Sequence, residues 1–282
     1  MKLNEMKRFL ANENIQLTKS LGQNFLHDAN QLRRIVAAAE LSKTDRVLEV
    51  GPGLGPLTDL LIQDTGEVLA VEKDERLLES LRSRFGEALS SGKLTLVHAD
   101  ALDFVSRAEQ DWNQWKMVSN LPYSIASPLL VDLAWSKSPP ERIVCTLQIE
   151  VAKRLMASPQ QQRDYGLLTL LLQLNYAPKG WFKIPANCFF PEPDVDSACI
   201  CLARRETPLL PEEQRGAFKR VVKRGFSQRR KMMMKLLKAD WPLPALQAAF
   251  TDLGISPLAR AETVSLEQFV RLASLLYPIS KT

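Results

Sequence analysis

The sequence predicts an α/β fold, a mostly parallel sheet wrapped by helices, followed by a small all-α domain. Short β-branched apolar runs recur from position 46 onward and alternate with stretches of helical periodicity, which is the pattern of βαβ units. After Thr207-Pro208 the strand-like runs cease and only helical periodicity continues. The length, 282 residues, fits about two domains at a typical ~150 residues each.

Taken in order, the predicted strands of the first domain are 46–50, 68–72, 94–98, 116–119 and 142–147. Between them, Leu57, Leu60 and Leu61 share one helix face, as do Leu77, Leu78, Leu81 and Phe85. Residues 167–173 read as a helix, and 181–184 with 197–202 as a late hairpin that closes the sheet. The first domain is assigned residues 1–205 and the second 206–282, with helices expected at 212–226, 229–239, 243–253 and 265–277. Pro208, Pro211, Pro242, Pro244 and Pro257 punctuate their entrances.

Composition removes several classes of protein. With 45% hydrophobic and 24% charged residues the chain can build an ordinary core, so neither a disordered chain nor a small disulfide scaffold is expected. No apolar run reaches the roughly 18 residues of a membrane span. The first ten residues carry Lys2, Glu5, Lys7 and Arg8 without an apolar signal core, so a cytoplasmic protein is expected. Four cysteines and two histidines form no zinc-ligand spacing, and no metal is expected; Cys199 and Cys201 read as half-buried small hydrophobes. Charge is concentrated. Between Arg204 and Lys238 there are twelve Lys or Arg against three Glu, a local excess of nine, whereas the whole chain carries only +5.

Three motifs carry chemistry. Glu49-Val50-Gly51-Pro52-Gly53-Leu54-Gly55 lies between a predicted strand and a helix, where glycines let the backbone turn tightly and approach a ligand. Its G-x-G-x-G spacing departs from the G-x-G-x-x-G of dinucleotide folds and resembles the S-adenosylmethionine loop of class I methyltransferases. Acidic residues around the turn, Glu49 among them, suit a sulfonium cation. Glu72 at the end of the next strand can accept hydrogen bonds from ribose hydroxyls, and Asp100 follows the third strand.

Asn120-Leu121-Pro122-Tyr123 follows the fourth strand and resembles the tetrapeptide of methyltransferases acting on the amino nitrogen of a planar base. The lone pair of such a nitrogen is delocalised into the ring. Acceptance of its two N–H groups by the Asn120 side chain and the Leu121 carbonyl favours the pyramidal, nucleophilic form, while Pro122 stiffens the loop and Tyr123 offers a stacking face. The third motif, Cys188-Phe189-Phe190-Pro191 running on to Asp196-Ser197, places two aromatics on a proline-rich loop, one of which can close the other face of the base.

With these motifs together, the chain resembles one family over nearly its whole length: the ribosomal RNA small-subunit adenine N6,N6-dimethyltransferases of the KsgA type. The resemblance runs from Thr18-Lys19-Ser20-Leu21-Gly22-Gln23-Asn24-Phe25-Leu26 through both motifs to Phe226-Ser227-Gln228-Arg229-Arg230-Lys231, Leu253-Gly254-Ile255, Arg260-Ala261-Glu262 and Ser265-Leu266-Glu267-Gln268-Phe269. It implies a class I, Rossmann-like catalytic domain binding S-adenosylmethionine and a helical RNA-binding domain. By the same resemblance Asn24 and Leu26 cap the cofactor, Gly51 lies under its methionine part, Glu72 holds the ribose, Asp100 contacts the adenine amine and Asn120 joins cofactor to target. Phe189 is implied as the stacking aromatic ahead of Phe190. The implied reaction is dimethylation of two adjacent adenosines near the 3′ end of small-subunit rRNA, coupled to small-subunit biogenesis, by a monomer. Two departures stand out: Met232-Met233-Met234 replaces a common Thr-Leu-Arg, and Ser124 replaces a common Asn.

On a helical wheel, Phe218, Val221, Val222 and Gly225 share one arc, and Lys219, Arg220, Lys223 and Arg224 the other; Arg229, Arg230 and Lys231 continue the charge. Beside a base-flipping domain this face reads as a phosphate clamp for RNA. Two alternatives remain open from sequence: an adenine methyltransferase of large-subunit rRNA, of the macrolide-resistance type, and a mainly non-catalytic ribosome-assembly factor.

Overall fold

The computed structural model describes residues 3–12, 23–107 and 111–277. Of the resembling segment that opens at Thr18, the part up to Gly22 lies outside the described residues. The chain forms two compact units, Met1–Ala152 with Ala177–Arg204, and Lys153–Tyr176 with Arg205–Thr282.

The chain opens with α1 (Leu3–Asn12), the short strand β1 (Phe25–Leu26) and α2 (Ala29–Ala38). Strands and helices then alternate through β2 (Arg46–Val50), α3 (Pro56–Asp64), β3 (Glu67–Glu72), α4 (Glu75–Arg84), α5 (Gly86–Ser90) and β4 (Leu94–His98). They continue through α6 (Ala101–Arg107), β5 (Trp115–Asn120), α7 (Ala126–Trp135), β6 (Arg142–Gln148) and α8 (Ile149–Met156). After α9 (Leu167–Gln173) come β7 (Tyr176–Ile184), β8 (Phe189–Phe190) and β9 (Ser197–Arg204). The main sheet has the order β4-β3-β2-β5-β6-β9-β7. Neighbours from β4 to β6 are parallel, and β9 runs antiparallel to β6. The late strands β7 and β9 are sheet neighbours, but their connection carries β8, which leaves the sheet to pair with β1 through Leu26↔Phe189 and Phe25↔Phe190.

Strands covered on both faces are largely apolar, and β2 and β3 are buried over all but their first residues, with Glu49 and Glu72 as their buried carboxyls. Register brings the chemistry to one edge. Val50 pairs with Val71, Glu72 with His98 and Asn120 with Thr146, so the first two motifs and Asp100 all follow the carboxyl ends of parallel strands. The β2–β5 ladder ends at Leu48↔Met117. Beyond it the buried Ser119 hydroxyl takes over, accepting from Val50 N at 3.0 Å and donating to Val50 O at 2.5 Å. The two strands thus part at the point where strand order reverses, which is where open α/β sheets bind ligands.

The second unit contains α10 (Arg215–Gly225), α11 (Met233–Leu237), α12 (Leu243–Asp252) and α13 (Leu266–Leu276) around a core that includes Phe218, Trp241, Phe250 and Phe269. Ser265 caps α13 by accepting from Gln268 N, and the Gln268 side chain accepts from Ser265 N in return. Two expectations change here. Segment 153–176, read from sequence as part of the first domain, belongs to this unit: Thr169 Oγ1 donates to Arg154 O, Gln173 Nε2 to Leu155 O and Ala157 O, and Tyr165 packs edge-on against Phe226 at 6.4 Å. The helix expected at 229–239 shrinks to α11, because Gln228 and Lys231 close a turn and Met233 N is taken by Ala259 O at 2.8 Å.

Candidate active site

A cavity of about 270 Å³ opens at the parted strand ends. Asn24, Gly51, Glu72, Asp100 and Asn120, five of the six residues expected to hold a cofactor, line it. Two glycines shape its floor. Gly51 (φ +69°) donates its N–H to Val71 O, and a Cβ there would sit 3.2 Å from the Pro122 ring. At Gly53 (φ +60°) a Cβ would come within 2.7 Å of the Phe25 ring. Only glycine lets the turn pass between two loops this tightly.

Glu72 is 7% exposed. Its Oε2 accepts from Gly53 N at 3.2 Å and its Oε1 from Lys73 N and Asp74 N at 2.9 Å each. Burial raises its pKa above the ordinary carboxylate value, against the lowering effect of those three amides. Asp100 is the converse: the Lys73 ammonium, 2.8 Å from Oδ2, holds its pKa low, and Leu102 N donates to Oδ1. The cavity lining therefore offers a fixed, buried carboxylate and a second that stays ionised.

The Asn120 loop borders the same cavity. Asn120 Nδ2 donates to Asn24 O at 2.9 Å, and the Thr146 hydroxyl donates to Asn120 Oδ1. Leu121, Pro122, Ser124 and Ile125 also line the cavity. Tyr123 stands beside them, half-buried, with its phenol tethered to Ser197 Oγ at 2.5 Å and its pKa raised by burial.

Packing describes three of the expected residues more closely. The Leu26 side chain is 1% exposed in the core cluster that also holds its strand partner Phe189, and its chain neighbours Asn24 and Phe25 line the cavity. Phe189, 3% exposed, is spent on the same core, while Phe190 is partly buried against the cluster of Met6, Leu10 and Phe25, with Lys7 Nζ 5.1 Å from its ring centre. Glu49 is 1% exposed behind the turn, where it accepts from Thr58 Oγ1 at 2.7 Å and burial pushes its carboxyl up to about 8. Desolvation of this kind disfavours the charged form of the carboxyl.

In the helical unit, Phe218, Val221, Val222 and Gly225 are buried on one face of α10. Arg220, Lys223, Arg230 and Lys231 are exposed; Lys219 is half-buried, and Arg220 also lies over the Trp241 ring at 4.8 Å. Two of the seven expected RNA ligands, the partly exposed Arg224 and the exposed Arg229, also hold partners within the unit. Arg224 pairs with Asp240 at 2.5 Å, and Arg229 Nη2 donates to Gln162 O and Arg163 O at 2.9 and 3.0 Å. Ser119, Thr146 and Lys73 are site residues that the motifs did not name, and Ser197 ends the third motif without a role given to it; only register across neighbouring strands brings the first two into play.

Among the described residues, no group of three His, Cys, Asp or Glu is placed to hold a metal ion, and no helix is long and apolar enough to cross a membrane. The cofactor implied by the sequence is tested by the donor set: a glycine cradle that a Cβ would fill, a buried carboxylate suited to a diol and an ionised carboxylate suited to an amine. They fit.

Comparison with known proteins follows the same line. A ribosomal RNA small subunit methyltransferase A of Lactococcus lactis is 37% identical over 280 residues, covering 96% of this chain and 94% of the relative. That of Magnetococcus marinus is 40% identical over 277 residues, covering 98% and 97%. Among solved structures, the 23S rRNA methyltransferase ErmE aligns with a TM-score of 0.69 and 29% identity over 90% of this chain and 99% of its own. A dimethyladenosine transferase from Plasmodium falciparum, at TM-score 0.75 and 22% identity over 91% and 99%, supports the class I methyltransferase fold alone. The family model for ribosomal RNA adenine dimethylase matches residues 14–277. With its cavity, its Asn-Leu-Pro-Tyr loop and this match over nearly the whole length, the chain belongs to the ribosomal RNA adenine dimethylase family.

Proposed function

We propose that this protein uses S-adenosylmethionine to dimethylate the N6 amino groups of two adjacent adenosines near the 3′ end of small-subunit ribosomal RNA. The observation that carries the reading is that Asn120, Leu121 and Pro122 line one cavity together with Glu72 and Asp100. S-adenosylmethionine supplies, when bound, an electrophilic methyl on a sulfonium whose departure leaves a neutral sulfide. Glu72 receives the ribose hydroxyls, Asp100 the adenine amine, and Gly51 and Asn24 border the remainder.

The chain's own catalytic task is positioning. Asn120 Oδ1 and the Leu121 carbonyl accept the N–H groups of the target amine and so favour its pyramidal form. The same acceptors stabilise the positive charge that the nitrogen develops, so no strong base is required before attack. Pro122 fixes the loop against Gly51, and Tyr123, held by Ser197, offers its ring to the extruded base. In the helical unit Lys219, Arg220, Lys223, Arg230 and Lys231 hold the RNA backbone, with Arg224 and Arg229 acting through the fold. Phosphate contacts of this kind set orientation without reading sequence.

Radiolabelled S-adenosylmethionine supplied with unmethylated small subunits, large subunits or DNA tests the reading. Label in dimethyladenosine from small subunits alone is expected. Label confined to large subunits would replace it with the macrolide-resistance type of activity, and no label in any acceptor would favour a non-catalytic assembly factor.

A further inference from the structure

Thr146 is wholly buried on β6, and its neighbours say what its hydroxyl is for. Register places Asn120 of β5 and Cys199 of β9 on either side of it, and one row below stand Val118, Val144 and Cys201, all in the apolar core. Packing alone would be served by valine, which has the same branched shape and no group to desolvate. Among the described residues the hydroxyl has one hydrogen-bond partner: it donates to Asn120 Oδ1.

The opposite edge of that carboxamide is also held. Asn120 Nδ2 donates to Asn24 O, a carbonyl that can only accept, so the flipped amide would set two oxygens against each other. Leu121 N donates to Thr146 O at 3.3 Å, so the same residue also anchors the backbone of the second proposed acceptor. We infer that Thr146 is a positioning residue for methyl transfer, its hydroxyl locking the Asn120 carboxamide so that one Oδ1 lone pair is filled and the other is kept for the target amine. This rests on the proposed function of the Asn120 loop.

The test compares Thr146→Val with Thr146→Ser. In single-turnover transfer to unmethylated small subunits, Thr146→Val should be about five- to tenfold slower, the scale of one hydrogen bond. Its affinity for S-adenosylmethionine, measured by calorimetry, should stay within about twofold, and its melting temperature should fall by no more than one lost hydrogen bond accounts for. Thr146→Ser, which keeps the hydroxyl, should recover most of the rate. A wild-type rate in Thr146→Val, or a Thr146→Ser variant as slow as Thr146→Val, would overturn the inference. A readout independent of turnover is the Asn120 side-chain amide resonance, assigned by its loss in Asn120→Ala. Its hydrogen exchange should accelerate in Thr146→Val and stay slow in Thr146→Ser; unchanged exchange in both would also overturn it. If wild-type protein methylates no acceptor, the functional reading fails, while this resonance still reports whether Thr146 holds Asn120.

Discussion

Glu72 and Lys223 are both charged side chains proposed to meet a ligand, yet one is 7% exposed with three backbone amides on its carboxylate and the other stands in solvent on α10. The contrast extends to their surroundings. Around the cavity Asp100, Asn120 and Tyr123 each arrive already fixed by a named partner, whereas on the helical unit the exposed charges project from a scaffold that Arg224 and Arg229 help to build. Fixed, desolvated groups give strong and directional interactions. Solvated charges give long-range, salt-sensitive ones. A cavity for a small cofactor and a face for a polyanion need those two opposite treatments.

Substitutions can break this contrast, beginning with the largest effect. Asn120→Ala should lower the rate of methyl transfer by about 10²–10³, the scale of losing a preorganised acceptor at a developing charge, while RNA affinity measured by filter binding stays within about twofold. Next, Glu49→Gln should separate the buried carboxyls by their linkage to folding. Glu49 has a folded pKa of about 8, raised from 4.5, so its contribution to stability is full below pH 4.5 and is lost as pH rises through 8. The variant should therefore gain stability on wild type as pH rises across that window, by a few kcal/mol at most in denaturant titrations, and match it most closely at low pH.

Glu72→Gln should weaken S-adenosylmethionine binding by about one to two orders of magnitude in calorimetry, since charged hydrogen bonds to both ribose hydroxyls are lost. Because burial raises the Glu72 pKa, wild-type affinity should also begin to fall on acidification above the usual carboxylate range. On the basic face, Arg230→Glu with Lys231→Glu should lower the slope of log affinity against log salt by about two and leave cofactor binding unchanged. The smallest effect is expected from Arg229→Ala: a loss of about 1 kcal/mol in stability and an unchanged salt slope, because its guanidinium serves the Gln162 and Arg163 carbonyls.

Much of this was legible in the sequence, for a physical reason. Apolar runs of strand or helix period and glycine turns leave contiguous signals, so β2, β4 and α9 fall where periodicity put them and Gly51, Glu72, Asp100 and Asn120 meet at one cavity. What escaped is non-local. Leu26 and Phe189 pair across 163 residues of chain and are drawn into the core by that pairing. Glu49 reads as a charge until its burial is known. Arg229 reads as one more cation in a basic run, although its partners lie more than sixty positions earlier. Ser119 and Thr146 look like ordinary strand residues, and only the register of β5 with β2 and β6 gives their hydroxyls work. The α1 helix also passed unread; Met6 and Leu10, one turn apart, were its signal.

The measurement that bears most directly on the proposed chemistry is a map of methylated nucleosides by mass spectrometry, after incubating the protein with S-adenosylmethionine and small subunits that lack the modification. Two methyl groups on N6 of each of two neighbouring adenosines near the 3′ end of the small-subunit RNA are expected, and none with Asn120→Ala. Methylation at a ring nitrogen, at a ribose hydroxyl, or undiminished in Asn120→Ala would contradict the role given to the Asn120 loop.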